Sequence, residues 1–237
     1  MQSIYFLQKN QRKNVKLGSA SQFGIKLIRA VLFDMDGTLL DSEGLSSEAT
    51  DFGVHTITGR HLTKEENRSL TGKPVKKVLE EWFPDISHSI YEAGIEYYRS
   101  RINEISSYPG IKELLDNLNL EYRMAIVTST HREQALEILS QVGLLGYFSF
   151  IVGQDDTVMN KPDPEPVLLA MKLLKVSSED CIFVGDQPYD IIAAHEAGLT
   201  AAAATWGSGI REELETYHPD HILESPGDLL ELLKKLR

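Results

Sequence analysis

The sequence predicts an α/β protein, a doubly wound parallel sheet carrying a small inserted α-helical domain. Three observations lead there. From residue 109 onward, apolar strand-like runs alternate with helical periodicity, and each parallel crossover needs a covering element, which places helices on both faces of the sheet. A further apolar run, residues 30–33, stands far upstream and supplies another strand. Between the two, residues 43–108 read as helix, with no strand of comparable hydrophobicity.

Taken in order, residues 1–28 are polar and basic and read as a flexible tail. Residues 29–42 and 109–237 form the sheet-bearing core and residues 43–108 the helical domain. Strand 30–33 runs directly into Asp34, Asp36, Gly37 and Thr38, and Leu39 and Leu40 return the chain to the interior. In the helical domain Tyr91, Ile95, Tyr98, Ile102 and Ile105 recur at intervals of four and three, the stripe of an amphipathic helix. A turn at 70–74 precedes a helix from Val75 that ends near Trp82. After the turn at Tyr108, Pro109 and Gly110 come helix 111–119, strand 124–127, helix 131–142 and strand 148–152. Helix 165–174, strand 181–184, helix 189–197 and an alanine-rich strand 200–204 follow. Ser225, Pro226 and Asp228 form a capping box with proline at the first helical position, opening the last helix to about Lys235.

Composition limits the partners. The net charge is −11, yet residues 1–29 hold six basic side chains and no acid, so the remainder sits at −17. An acidic body argues against a nucleic-acid partner and makes a divalent cation plausible for an anionic substrate. No apolar run approaches the ~18 residues of a membrane span. The single cysteine, Cys181, lies in an apolar strand, reads as a small core residue and suits a reducing, cytoplasmic compartment. The acid-free tail is also compatible with organellar targeting or with an over-extended start.

Ligands of an open parallel sheet bind beyond the carboxyl ends of the strands, so the residues after each strand should converge. Asp34 and Asp36, one residue apart, can face one ligand if the chain turns at Gly37. Such a pair can attack phosphorus, move a proton or hold a metal. Thr128, Ser129 and Thr130 precede a helix, where hydroxyls and backbone N–H groups can hold phosphate, although helix capping is the plainer role of Ser129 or Thr130. Lys161 stands between an acidic loop and Pro162, Asp163 and Pro164, placed to neutralise an aspartate and a phosphate oxygen together. Gly185, Asp186 and Asp190 form a second acid cluster, with Asp190 also suited to a helix N-terminus. His131 and His195 lack metal-ligand spacing, and the glycine-containing loop at Trp206 has no assigned catalytic role.

These four clusters, each directly after a strand and in this order, resemble the four motifs of the haloacid dehalogenase superfamily of phosphohydrolases. The helical insertion resembles the cap of the phosphoglycolate phosphatase and β-phosphoglucomutase group, and the core is closest to phosphoglycolate phosphatases and pyrophosphatases. The resemblance implies a Rossmann-like core with a cap and a Mg²⁺-dependent phosphatase acting on phosphoglycolate, pyrophosphate or a sugar phosphate. It implies Asp34 as nucleophile, Asp36 as acid and base, and Lys161, Thr128, Ser129 and Gly37 at the phosphoryl group. Asp34 and Asp186 would hold Mg²⁺ by side chains and Asp36 by its carbonyl, with Asp190 in support. Thr71, Gly72 and Lys73 on the cap would select substrate. A β-phosphoglucomutase-type isomerase and a catalytically silent binding module are the competing readings.

Overall fold

A computed structural model describes residues 28–71 and 73–236. Strand β1 (Ala30–Phe33) is followed by a two-residue strand β2 (Leu40–Asp41) and four helices: α1 (Glu43–Thr58), α2 (Lys64–Leu70), α3 (Val75–Trp82) and α4 (Ser87–Ser100). Another short strand, β3 (Ser106–Ser107), returns the chain to α5 (Ile111–Leu118) and β4 (Arg123–Val127). Then come α6 (Arg132–Gln141), β5 (Phe150–Val152), α7 (Glu165–Leu174), β6 (Cys181–Gly185), α8 (Pro188–Glu196) and β7 (Thr200–Ala204). The chain closes with α9 (Arg211–Glu215), β8 (His221–Leu223) and α10 (Pro226–Lys235).

The sheet is parallel in the order β5-β4-β1-β6-β7-β8. Its strands alternate between two packed layers, as a period of two requires. Val31 and Phe33 face the layer built with α5, α6 and α10, while Ala30 and Leu32 face the layer built with α7 and α8. The doubly wound expectation is therefore met. Successive strands leave β1 first toward β4 and β5, then toward β6, so a crevice opens at the carboxyl end of β1.

The four helices α1 to α4 form a separate group with a small core of Val54, Leu62, Leu70, Val78, Leu79 and Ile90. Helices α1 and α4 approach backbone to backbone. A Cβ on Gly53 would lie 2.3 Å from the Ile90 carbonyl oxygen, and one on Gly94 2.8 Å from that of Ala49. The group joins the core through β2 and β3, which pair antiparallel with Leu40 opposite Ser107.

Several local expectations need correction. The tail was drawn to residue 28, but Ile28 is buried against the core; residues 1–27 lie outside the described residues. The helical stripe stops at Ser100, because Ile102 falls in a single 3₁₀ turn and Ile105 is extended. Phe148 precedes its strand and packs edge-on against Phe33 at 6.3 Å. The ribbon β2–β3, helix α9 and strand β8 were not foreseen. Each spans five residues or fewer, too short for a period to register.

Candidate active site

The residues that follow β1, β4 and β6, together with Lys161, meet in the crevice. The Asp34 N–H still donates to Val184 in the sheet at 2.9 Å, after which the chain turns at Gly37 with φ of 80°. A Cβ on Gly37 would stand 2.4 Å from an Asp186 carboxylate oxygen, so only glycine lets the two segments meet. Its N–H is donated to the Leu40 carbonyl at 2.9 Å, so the glycine provides close approach rather than the phosphate contact expected of it.

Among the described residues, Lys161 is the single cation at the centre of the acid cluster. Its Nζ donates to Asp34 Oδ1 at 2.7 Å, Asp190 Oδ1 at 2.6 Å and the Val127 carbonyl at 3.2 Å, which occupies its three protons. Asp190 Oδ2 accepts the Gln187 N–H at 3.0 Å, so the helix-capping and lysine-holding roles coexist. Asp186, fully buried, accepts from Thr38 Oγ1 at 2.6 Å and Gln187 Nε2 at 2.7 Å. Oxygens of Asp34, Asp186 and Asp190 lie within 4.8 Å of one another.

Burial pushes the Asp34 carboxyl up to about 8 against the pull of Lys161, and burial with the Asp34 and Asp190 charges drives Asp186 upward as well. Three acids sharing one lysine are short of positive charge. An all-oxygen donor set of buried carboxylates fits a hard divalent cation such as Mg²⁺.

Asp36 is held separately, at the edge of the cleft. Ser42 Oγ donates to its Oδ1 at 2.5 Å and Thr130 Oγ1 to its Oδ2 at 2.8 Å, with Thr128 Oγ1 at 3.4 Å. Sequence reasoning missed Ser42 and placed Thr130 among the hydroxyls that hold phosphate or cap the helix, not on Asp36. His131 occupies the cap position of α6 instead. For Thr130 the available signal was the run of three hydroxyls, Thr128, Ser129 and Thr130, in the loop after β4.

A cleft of about 1050 Å³, counting space open to solvent, lies between this edge and the helical group. Asp34, Asp36, Thr128 and Ser129 line the core side. Thr71 and Lys73 line the other; Gly72 lies outside the described residues. Asp186 opens instead onto a second cavity, which Thr71 and Lys73 also line. His131 borders the cleft beside Asp155 at 3.5 Å, whereas His195 pairs with Asp220 at 3.2 Å.

Fold and site together define an α/β protein of the doubly wound class with a buried cluster of carboxylates at the carboxyl edge of its parallel sheet. The chain belongs to the haloacid dehalogenase-like hydrolase family, which it matches over residues 31–204. A PpaX protein of Caldanaerobacter subterraneus subsp. tengcongensis is 36% identical over 211 residues, 87% of this chain and 95% of its own. The pyrophosphatase PpaX of Bacillus velezensis is 32% identical over 213 residues, 87% and 97% of the two chains. A predicted phosphoglycolate phosphatase from Haemophilus somnus 129pt shares the fold, with a TM-score of 0.79 at 23% identity over 86% of this chain and 97% of its own.

Proposed function

We propose that the protein is a Mg²⁺-dependent phosphatase that hydrolyses a small phosphorylated metabolite through an aspartyl-phosphate on Asp34. The carrying observation is Lys161, buried and bonded to Asp34 and Asp190, with Asp186 beside them and Asp36 held apart at the cleft. Family membership and the pyrophosphatase name of a relative support the same reaction class.

Asp34 attacks phosphorus, forming a P–O bond to its carboxylate while the bond to the leaving oxygen breaks. Asp36 gives its proton to that oxygen, and its carboxylate then takes one from the water that hydrolyses the acyl phosphate. Ser42 and Thr130 keep the Asp36 carboxyl in one orientation for both transfers. Thr128 and Ser129 in the cleft offer hydroxyls to the phosphoryl oxygens, Lys161 supplies its positive charge beside Asp34, and Asp190 holds Lys161 in place. Asp34, Asp186 and Asp190, with the Asp36 carbonyl, would hold Mg²⁺, which when bound supplies positive charge to the phosphoryl group. The helical group over residues 43–108 acts as a cap on the core of residues 29–42 and 109–237, and limits water in the cleft.

The test is phosphate release with Mg²⁺ from phosphoglycolate, pyrophosphate, hexose phosphates and an aryl phosphate, beside an Asp34→Asn control. Turnover that disappears in the control supports the reading. Turnover undiminished by Asp34→Asn refutes it.

A further inference from the structure

The loop between β7 and α9 takes no part in phosphoryl transfer, yet it is built into the Asp186 side of the site. Strand β6 lies between β7 and β1. A loop leaving β7 must therefore cross the end of β6, where Asp186 stands, to touch the turn after β1. Residues 205–209 make that crossing. A Cβ on Gly207 would overlap the Gly37 carbonyl, and one on Gly209 would lie 2.6 Å from the Asp186 carbonyl oxygen. Glycine at both positions lets the loop lie directly on the two acid-bearing segments. Just before them the Trp206 indole N–H donates to the Thr38 carbonyl at 2.8 Å, and the half-buried ring packs on the core layer that holds Phe33.

Thr38 is the residue on which this bond acts. It is fully buried, and its Oγ1 gives its one proton to Asp186 Oδ1 at 2.6 Å. The other Asp186 oxygen accepts from Gln187 Nε2 at 2.7 Å. Gln187 follows Asp186 directly and moves with it, so Thr38 is the donor that ties this carboxylate to a different segment. The turn carrying Thr38 closes on itself, with the Leu39 and Leu40 N–H groups both donating to the Met35 carbonyl and the Gly37 N–H to that of Leu40. These internal bonds fix the shape of the turn. The indole bond reaches it from beyond β6 and fixes how it tilts toward Asp186.

We propose that Trp206 is a positioning residue whose indole N–H, through the Thr38 peptide, aims the Thr38 hydroxyl and with it the Asp186 carboxylate, and so sets the preference of the acid cluster for Mg²⁺ over a larger cation. Mg²⁺ demands near-octahedral oxygens at ~2.0–2.1 Å, whereas Ca²⁺ accepts a looser shell at ~2.3–2.6 Å. A carboxylate free to tilt therefore loses affinity for the smaller ion first. The inference rests on the Mg²⁺ reading of the site but not on turnover.

Calorimetric titration of the full chain with MgCl₂ and with CaCl₂ tests it. Trp206→Phe keeps an aromatic ring and removes the donor, and is expected to weaken Mg²⁺ binding about tenfold but Ca²⁺ binding less than about threefold. Thr38→Val, which removes the hydroxyl, is expected to do the same. Trp206→Phe added to Thr38→Val should weaken Mg²⁺ binding by less than about twofold more, because the indole then has no hydroxyl left to aim. Where thermal melts show Trp206→Phe unfolded, replacement of Trp206 by 3-benzothienylalanine, of the same bicyclic shape without the N–H, supplies the comparison. Equal weakening of both ions, effects that multiply in the double variant, or unchanged Mg²⁺ affinity overturns the proposal and leaves the Mg²⁺ reading intact. Unaltered protein that binds no Mg²⁺ removes that reading and the proposal with it.

Discussion

Raising the pH of the metal-free protein should destabilise it, and Mg²⁺ should remove most of that dependence. Fully ionised, Asp34, Asp186 and Asp190 with the one Lys161 ammonium leave an excess of negative charge in the interior. The Asp34 carboxyl, at 3.8 when unperturbed, is pushed to about 8, first by burial. Between those values the folded protein keeps a proton that the unfolded chain has released. Its contribution is fully present below the unfolded value and is lost as pH rises toward about 8. One such proton corresponds to about 1.4 kcal/mol per pH unit, so moving from pH ~5 to ~8 costs about 4 kcal/mol. That is a large share of a typical ~5–15 kcal/mol stability, and it lowers Tm by roughly 10 °C in a chain of this size. Asp186 is raised in the same direction and steepens the fall. A bound divalent cation replaces the proton, which flattens the profile and makes Tm rise with Mg²⁺ concentration. Urea and thermal melts across this pH range, with EDTA or with Mg²⁺, measure the effect. Asp186→Asn removes one of the three acids and should reduce the metal-free slope. A flat metal-free profile, or slopes unchanged by Mg²⁺, would refute the charge accounting.

Other substitutions probe the site and its frame. Lys161→Met leaves the acid cluster without its cation and should cost about 3–5 kcal/mol at neutral pH without metal, read by urea melts, with phosphate release falling below detection. Thr130→Val removes the 2.8 Å bond to Asp36 and should lower kcat about tenfold with little change in KM, as expected from a charge-assisted bond worth about 1.5–3 kcal/mol. Gly37→Ala combines a φ of 80° with a Cβ 2.4 Å from Asp186, so calorimetry should find Mg²⁺ binding weakened at least tenfold, beyond a backbone cost of about 1–2 kcal/mol. Gly94→Ala drives a methyl into the Ala49 carbonyl between α1 and α4 and should destabilise the helical group by about 1–3 kcal/mol, seen as faster exchange of its amides.

What the sequence disclosed follows from where its signals are local. Strand β1 could be read because four consecutive apolar residues are buried on both faces of a parallel sheet, a pattern that needs no knowledge of partners. The acids after β1 and β6 could be read because an open parallel sheet delivers its strand ends to one edge. The β2–β3 ribbon was illegible for the opposite reason. Leu40 pairs with Ser107 and Asp41 with Ser106, partners 67 and 65 positions apart, and two-residue strands carry no period. Ser42 was missed on similar grounds, since a serine at a helix start has an ordinary capping role and nothing local reports the 2.5 Å bond to Asp36. Yet Ser42 separates the ribbon from α1, so the linker that carries the helical group also carries a hydroxyl that orients Asp36. The helical group therefore reaches the candidate active site in two ways, through the wall it places opposite Asp34 and through the linker that touches Asp36. Substitutions in β2 and β3 should consequently alter kcat as well as KM, even though the ribbon's own residues 106–107 are absent from the cleft lining.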